Sequence, residues 1–204
     1  MVAAYLGHLA PSGKIVIVCA FQAADEMRRV QRLAYRMRQL QRDQPGFGAR
    51  AKAQWLEAPA WQPLRQVVER LLVTYDWGEA FTALNLIVKP YVDHLFMVEL
   101  ARLARQADDE ALRGMLYSLG EDCSWHRAWS HALVRLTVED AASNRAAFGR
   151  WRAAWQPLVR QAIVSCAELM VSGDAGQPTG DHLLAMADGF VTEHWRTMGL
   201  EEGS

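Results

Sequence analysis

Apolar and polar positions in this chain recur at spacings of three and four residues, and no strict alternation of the half-buried-strand kind runs beyond four positions. The pattern predicts an all-α protein. A first long helix is expected over about 12–41, ended by Gln44-Pro45-Gly46-Phe47-Gly48, with a short helix over 49–57. Another opens at Trp61-Gln62-Pro63, where Pro63 suits a first turn whose N–H has no partner anyway. Asp76 is the expected cap of a helix carrying Trp77, Phe81, Leu84, Val88, Tyr91, Leu95 and Val98 on one seam, with a kink or a local wide turn at Pro90. Asp108-Asp109-Glu110 starts a helix that runs to about Asp140, acid at its positive end. Ser143 or Asn144 caps the next, which reaches about Val171 with Pro157 as a break or restart. After a Gly-rich stretch, a last amphipathic helix spans about 181–198 and stops at Gly199. The expected organisation is one helical domain over 1–171, a linker loop over 172–180, and a C-terminal helix and tail over 181–204.

Two of these helices carry suggestive chemistry on the side read as inward. In the first, Val30, Leu33, Met37 and Leu40 extend back through Glu26 to Ala23 and Cys19, so Glu26 is expected to face the packing partner. Ferritin-like di-iron bundles place a Glu-x-x-His pair on such a line. Three residues after Glu26, however, stands Arg29, a permanent cation that cannot ligate iron. The second seam is Leu112, Leu116, Leu119, Cys123, His126, Ser130, Leu133 and Thr137, with Cys123 where a di-iron helix would need Glu. None of the twelve Glu residues has His three positions later, so a carboxylate-bridged iron pair is not expected in this chain. Glu26 and Arg29 are expected to form an ion pair. His126 could ligate together with Asp122 one turn before it, but one imidazole supplies one ligand. A core histidine bonded to a carboxylate is the simpler role.

Composition narrows the classes further. With 204 residues, 51% hydrophobic and a formal net charge of −1, the chain has enough material for one core and no net drive toward nucleic acid or an anionic membrane. Cys19, Cys123 and Cys166 form no Cys-x-x-Cys spacing and fit buried thiols in a cytoplasmic protein. No apolar run reaches a membrane span. The run at 15–21 is followed at once by Gln, Asp, Glu and Arg, unlike a signal peptide. The row Arg28, Arg29, Arg32, Arg36, Arg38 and Arg42 lacks interleaved aromatics and suits a solvated or subunit-facing surface better than RNA. Seven of the eight Trp (Trp55, Trp61, Trp77, Trp125, Trp129, Trp151, Trp155) either cap and fill a core or mark a protein contact. Ala-Trp-Gln-Pro-Leu occurs twice, at 60–64 and 154–158, as two expected helix starts.

Several runs together carry a family resemblance: Ala10-Pro11-Ser12, residues 21–36, Trp61-Gln62-Pro63-Leu64-Arg65, Asp76-Trp77-Gly78-Glu79-Ala80-Phe81, residues 84–90, and His126-Arg127-Ala128-Trp129-Ser130-His131-Ala132-Leu133-Val134. Over about 4–170 the chain resembles the hydroxylase β subunit of bacterial multicomponent di-iron monooxygenases, the toluene, xylene and alkene-oxidising branch above all. The resemblance implies a metal-free ferritin-like bundle, shortened at its N-terminus relative to family β chains. Glu26, Arg29, Cys123 and His126 would then be degenerate di-iron positions. It also implies partners: a catalytic α subunit holding the two irons, a small γ subunit, and an effector protein, ferredoxin and NADH reductase in the wider system. In that setting the chain scaffolds α, and its own apolar, Trp-bearing surface is covered by α. The alternative is a free-standing helical domain with its own ligand pocket.

Overall fold

The computed structural model describes residues 1–171 and 178–200, and every regular element among them is helical. A short helix the spacing pattern did not signal, α1 (Val2–His8), precedes α2 (Gly13–Asp43). Gly7 lets the two cross closely: a Cβ there would meet the Cys19 Cβ at 3.0 Å. α1 is also tied to the turn before the central helix, through Trp77 Nε1 to the Leu6 carbonyl (3.1 Å) and Tyr5 Oη to the Thr74 carbonyl (3.3 Å). α2 starts where expected, with the Ser12 hydroxyl accepting from the Ile15 N–H. α3 (Ala51–Glu57), a 3₁₀ turn at Pro59–Trp61 and α4 (Gln62–Leu71) follow.

The centre of the molecule is a helical rod over 77–106. It consists of α5 (Trp77–Phe81), a π-helical segment Thr82–Val88, α6 (Lys89–Asp93), a second π-helical segment His94–Glu99, and α7 (Leu100–Gln106). Asp76 caps it by accepting from the Glu79 N–H at 2.9 Å. Every residue from 80 to 91 is buried, so the rod is wrapped by other helices on all sides. Pro90 falls where the first π-helical segment gives way to α6, in line with the local wide turn expected there. It has no N–H to give the Leu86 carbonyl four residues back, and the indole N–H of Trp195 donates to that oxygen instead, at 2.9 Å.

Around the rod lie α8 (Glu110–Asp140), α9 (Asn144–Met170) and α10 (Gly180–Thr197). Asp109 caps α8 through the Leu112 N–H, and Thr179 caps α10 through the His182 N–H. α10 ends at Gly199, whose φ of +64° suits glycine, with the Leu200 N–H returning to the Trp195 carbonyl. Its buried Leu183, Ala187, Val191 and Trp195 join one core with Trp155, Val159 and Ile163 of α9 and with Leu86, Ile87 and Tyr91 of the rod. Most of the expected linker, residues 172–177, lies outside the described residues, as does the tail from 201.

Three expectations change. Pro157 sits inside an unbroken α9, because a solvent-facing proline costs a helix one bond without ending it when the rest of the face is packed. Val98 is exposed, since the π-helical register turns it off the seam. Finally, Val30 is 57% exposed and Leu33 36%. The true inward line of α2 runs through Cys19, Gln22, Glu26, Arg29 and Arg36, about one position round the helix from the line predicted.

Candidate functional site

That inward line is polar, and it meets polar side chains of the rod and of α8 in one continuous seam. At the N-terminal end, Gln22 and Asn85 exchange amide hydrogen bonds at 3.0 and 3.2 Å. Asn85 also donates to the Ser130 hydroxyl (3.0 Å), and the Trp129 indole donates to Gln22 Oε1 (3.1 Å). One turn on, Asp25 Oδ2 accepts from the Trp125 indole at 2.9 Å and lies 3.1 Å from His126 Nε2. The expected carboxylate partner of His126 is therefore present but comes from α2. Asp122, the neighbour on its own helix, is drawn away to Arg28.

The next layer holds the charges. Lys89 Nζ donates to Glu26 Oε1 at 2.6 Å and to Asp93 Oδ1 at 3.4 Å. Arg29 reaches Glu26 Oε2 at 3.2 Å, Asp93 Oδ1 at 3.1 Å and the Cys123 sulfur at 2.9 Å. Asp93 and Lys89 are buried, while Glu26 keeps one edge toward solvent. Glu26, Arg29, Cys123 and His126, singled out in the sequence, thus come together on one seam. The sequence reading missed Lys89 and Asp93, which complete the group. Their signal was a Lys and an Asp four apart inside the most apolar stretch of the chain, where two charges can stay only by pairing.

Two cations and two carboxylates make this layer neutral, and each charge is held by the others. Burial opposes charge on Asp93, but Lys89 and Arg29 outweigh it and keep the carboxyl well below its ordinary range. Lys89 and Arg29 are likewise disfavoured by burial, yet Asp93 and Glu26 raise both, so neither gives up its proton. Burial and the Asp93 charge push the Cys123 thiol up to about 12, so it stays protonated and is a poor metal ligand or nucleophile. His126 is held below its usual range by burial and by Lys89. The donor set does not fit an iron pair: ammonium and guanidinium groups sit between the two carboxylates, where metal cations would have to be. Among the described residues no cluster of three or more His, Cys, Asp or Glu could hold a metal ion.

A second polar cluster lies between α8, α10 and the rod. His131 Nε2 is 2.9 Å from His194 Nδ1, His94 stacks on Phe190, and Arg127 lies over the same ring. No Trp is fully exposed; Trp155 and Trp195 are wholly buried and the other six half-buried. Trp contributes to the surface only through these six half-buried rings. Exposed large apolar residues concentrate instead on α2, with Val16, Ile17, Phe21, Met27, Val30, Leu33 and Tyr35. No helix among the described residues is long and apolar enough to cross a membrane.

Comparison with known proteins adds a consistent picture. A sequence model described as Methane/Phenol/Alkene Hydroxylase matches residues 1–141. The chain is 34% identical over 174 residues to the toluene-4-monooxygenase system hydroxylase component subunit beta of Ectopseudomonas mendocina, covering 84% of this chain and 53% of that protein. It is 33% identical over 152 residues to the propane 2-monooxygenase hydroxylase component small subunit of Rhodococcus jostii (strain RHA1), covering 72% and 41%. Among solved structures, a chain of toluene 4-monooxygenase with toluene bound in the resting active site superposes with a TM-score of 0.77 at 31% identity, over 92% of this chain and 57% of that one. The chain spans about half the length of the relatives it matches.

Proposed function

The chain belongs to the methane, phenol and alkene hydroxylase family, and on that premise we propose that it is a non-catalytic structural subunit of a multicomponent monooxygenase hydroxylase. It packs against a catalytic α subunit that holds the di-iron centre, with a small γ subunit completing the hydroxylase. An effector protein, a ferredoxin and an NADH reductase deliver electrons and timing in the cytoplasm, and the complex oxidises aromatic hydrocarbons or alkenes with O₂. The observation that carries this reading is the Lys89–Glu26–Asp93–Arg29 layer. A bundle that places carboxylates inward but neutralises them with its own cations keeps the architecture of a metal site without the chemistry.

In such an enzyme the chain's part is mechanical. Ion pairs between the inward face of α2 and its neighbours fix the helix rigidly, and a rigid neighbour holds a partner's helices at catalytic tolerance. The reading is tested by co-expression with a di-iron subunit of the same hydroxylase family. Co-purification in equal amounts, iron found only in the partner, and loss of hydroxylation when this chain is omitted are the expected results. About two irons retained per chain of the isolated protein after iron loading and desalting would overturn it, as would full activity of the partner alone.

A further inference from the structure

α2 is built with its polar side inward, and its outward side carries a pattern of its own. Ile17, Ala20, Ala24, Met27, Gln31, Ala34 and Arg38 follow spacings of 3, 4, 3, 4, 3 and 4, and every one of them is exposed. This is the heptad seam by which one helix packs along another. It runs about 32 Å at 1.5 Å per residue. Three of its positions are Ala, which lets a second helix approach closely. Up to Tyr35 it carries no charged residue, and Gln31 is its one polar position. Single exposed apolar residues are ordinary on a protein surface; a continuous seam of this length marks a contact.

The charge distribution says what kind of helix fits. Beyond Ala34 the seam reaches Arg38, and Arg42 lies exposed about one turn further on. Arg38 bonds only Gln41, and Arg42 and the nearby Arg32 meet no carboxylate among the described residues. Residues 1–57 hold nine Lys or Arg against four Asp or Glu. A second copy of this chain does not satisfy that end. Laid parallel, it would set Arg38 against Arg38. Laid antiparallel, it would bring the first turn of α2 to Arg38 and Arg42, and that turn has Lys14 and no acid.

The geometry points to a docking seam on the outward face of α2 for one long helix of a different polypeptide, apolar over most of its length and acidic opposite Arg38 and Arg42. This rests on the functional reading above, under which the helix belongs to the di-iron subunit. Gln31 in the seam would fix the register, as a lone polar residue at such a position does in helical pairs.

The test is capture of the co-expressed di-iron subunit by the full chain and by three variants: Ala24→Lys in the seam, Arg38→Glu at its basic end, and Lys52→Glu away from it. All three sites are exposed, and melting followed by circular dichroism confirms that each variant folds like the parent. Ala24→Lys and Arg38→Glu are expected to weaken capture at least tenfold, and Lys52→Glu to leave it unchanged. The Arg38→Glu complex should also lose part of the parent's salt dependence. Equal capture by parent and Ala24→Lys would overturn the seam while leaving the subunit reading intact. Failure of the parent to bind the di-iron subunit at all would overturn both. A stable homodimer of the isolated chain, abolished by Ala24→Lys, would overturn the choice of a different polypeptide.

Discussion

α2 and α10 are both amphipathic helices laid on the same central rod, and they are built in opposite senses. α10 turns Leu183, Ala187, Val191 and Trp195 inward and leaves Asp181, His182 and Glu193 outside. α2 turns Gln22, Asp25, Glu26 and Arg29 inward and leaves Ile17, Phe21 and Met27 outside. The hydrophobic effect explains that stripe of α10. It does not explain α2, whose contact survives because inward Glu26 and Arg29 pair with opposite charges, inward Asp25 is hydrogen-bonded by Trp125 and His126, and the inward Gln22 amide has partners. Polarity of a buried face therefore identifies what a helix has to match. The face it leaves apolar is the one on which the proposed docking seam lies.

The largest test of this contrast is Asp93→Ala. It would leave Lys89 and Arg29 buried with only Glu26 between them, and should cost about 3–5 kcal/mol in denaturant unfolding. Replacing Leu183 by Ala on α10 should cost about 2–5 kcal/mol by a different route, lost packing and a cavity, with little dependence on pH. Arg29→Ala should likewise cost about 3–5 kcal/mol, whereas Arg38→Ala on the outward face should fall within about 0.5 kcal/mol of the parent. Equal midpoints for those two would show that Arg29 is not held inward.

Acid should reach the buried histidines before the buried carboxylates. Burial, His131 and Arg127 hold His194 down to about 3, far below the value near 6.5 expected in the unfolded chain. The unfolded state therefore takes up this proton first. Stability present above pH 6.5 is lost as pH falls from there toward about 3, at roughly 1.4 kcal/mol per pH unit once His194 is charged in the unfolded chain. His131, His94 and, in the α2 seam, His126 are shifted the same way and add to the loss. Asp93, lowered in the folded state, keeps its contribution until pH drops below the ordinary carboxylate range. Urea midpoints should fall between pH 6.5 and 5. In Asp93→Ala they should fall in parallel with the parent, and a flat profile in the parent would contradict the neutral His131–His194 pair. A smaller loss than at Asp93, Leu183 or Arg29 is expected for Asp76→Ala, which removes the cap of the rod for about 1 kcal/mol, readable as a shift of a few degrees in Tm.

Much of this was legible in the chain. The helix boundaries at Ser12, Asp76, Asp109 and Gly199 follow from caps and breakers that act over three or four residues. The pairing of Glu26 with Arg29, and the place of Cys123 and His126 on one seam, follow from spacing along single helices. Lys89 and Asp93 were hidden because a sequence read one helix at a time does not show that a third helix brings a lysine between the carboxylates of two others. Asp25 was passed over for Asp122 for the same reason: proximity in sequence pointed to the carboxylate on His126's own helix, while Arg28 had already claimed it.

The repeated pentapeptide makes the division plain. At 60–64, Ala-Trp-Gln-Pro-Leu starts a helix, with Pro63 in the first turn. At 154–158 the same five residues lie in mid-helix, with Trp155 wholly buried and donating to Glu79. Local sequence determined that these segments are helical, where most of them start and stop, and which pairs along one helix can meet, because those interactions close within a turn. Only the tertiary structure decided which side of α2 faces in and that Pro157 is carried through, because burial and ion pairing depend on what other helices bring to the same place.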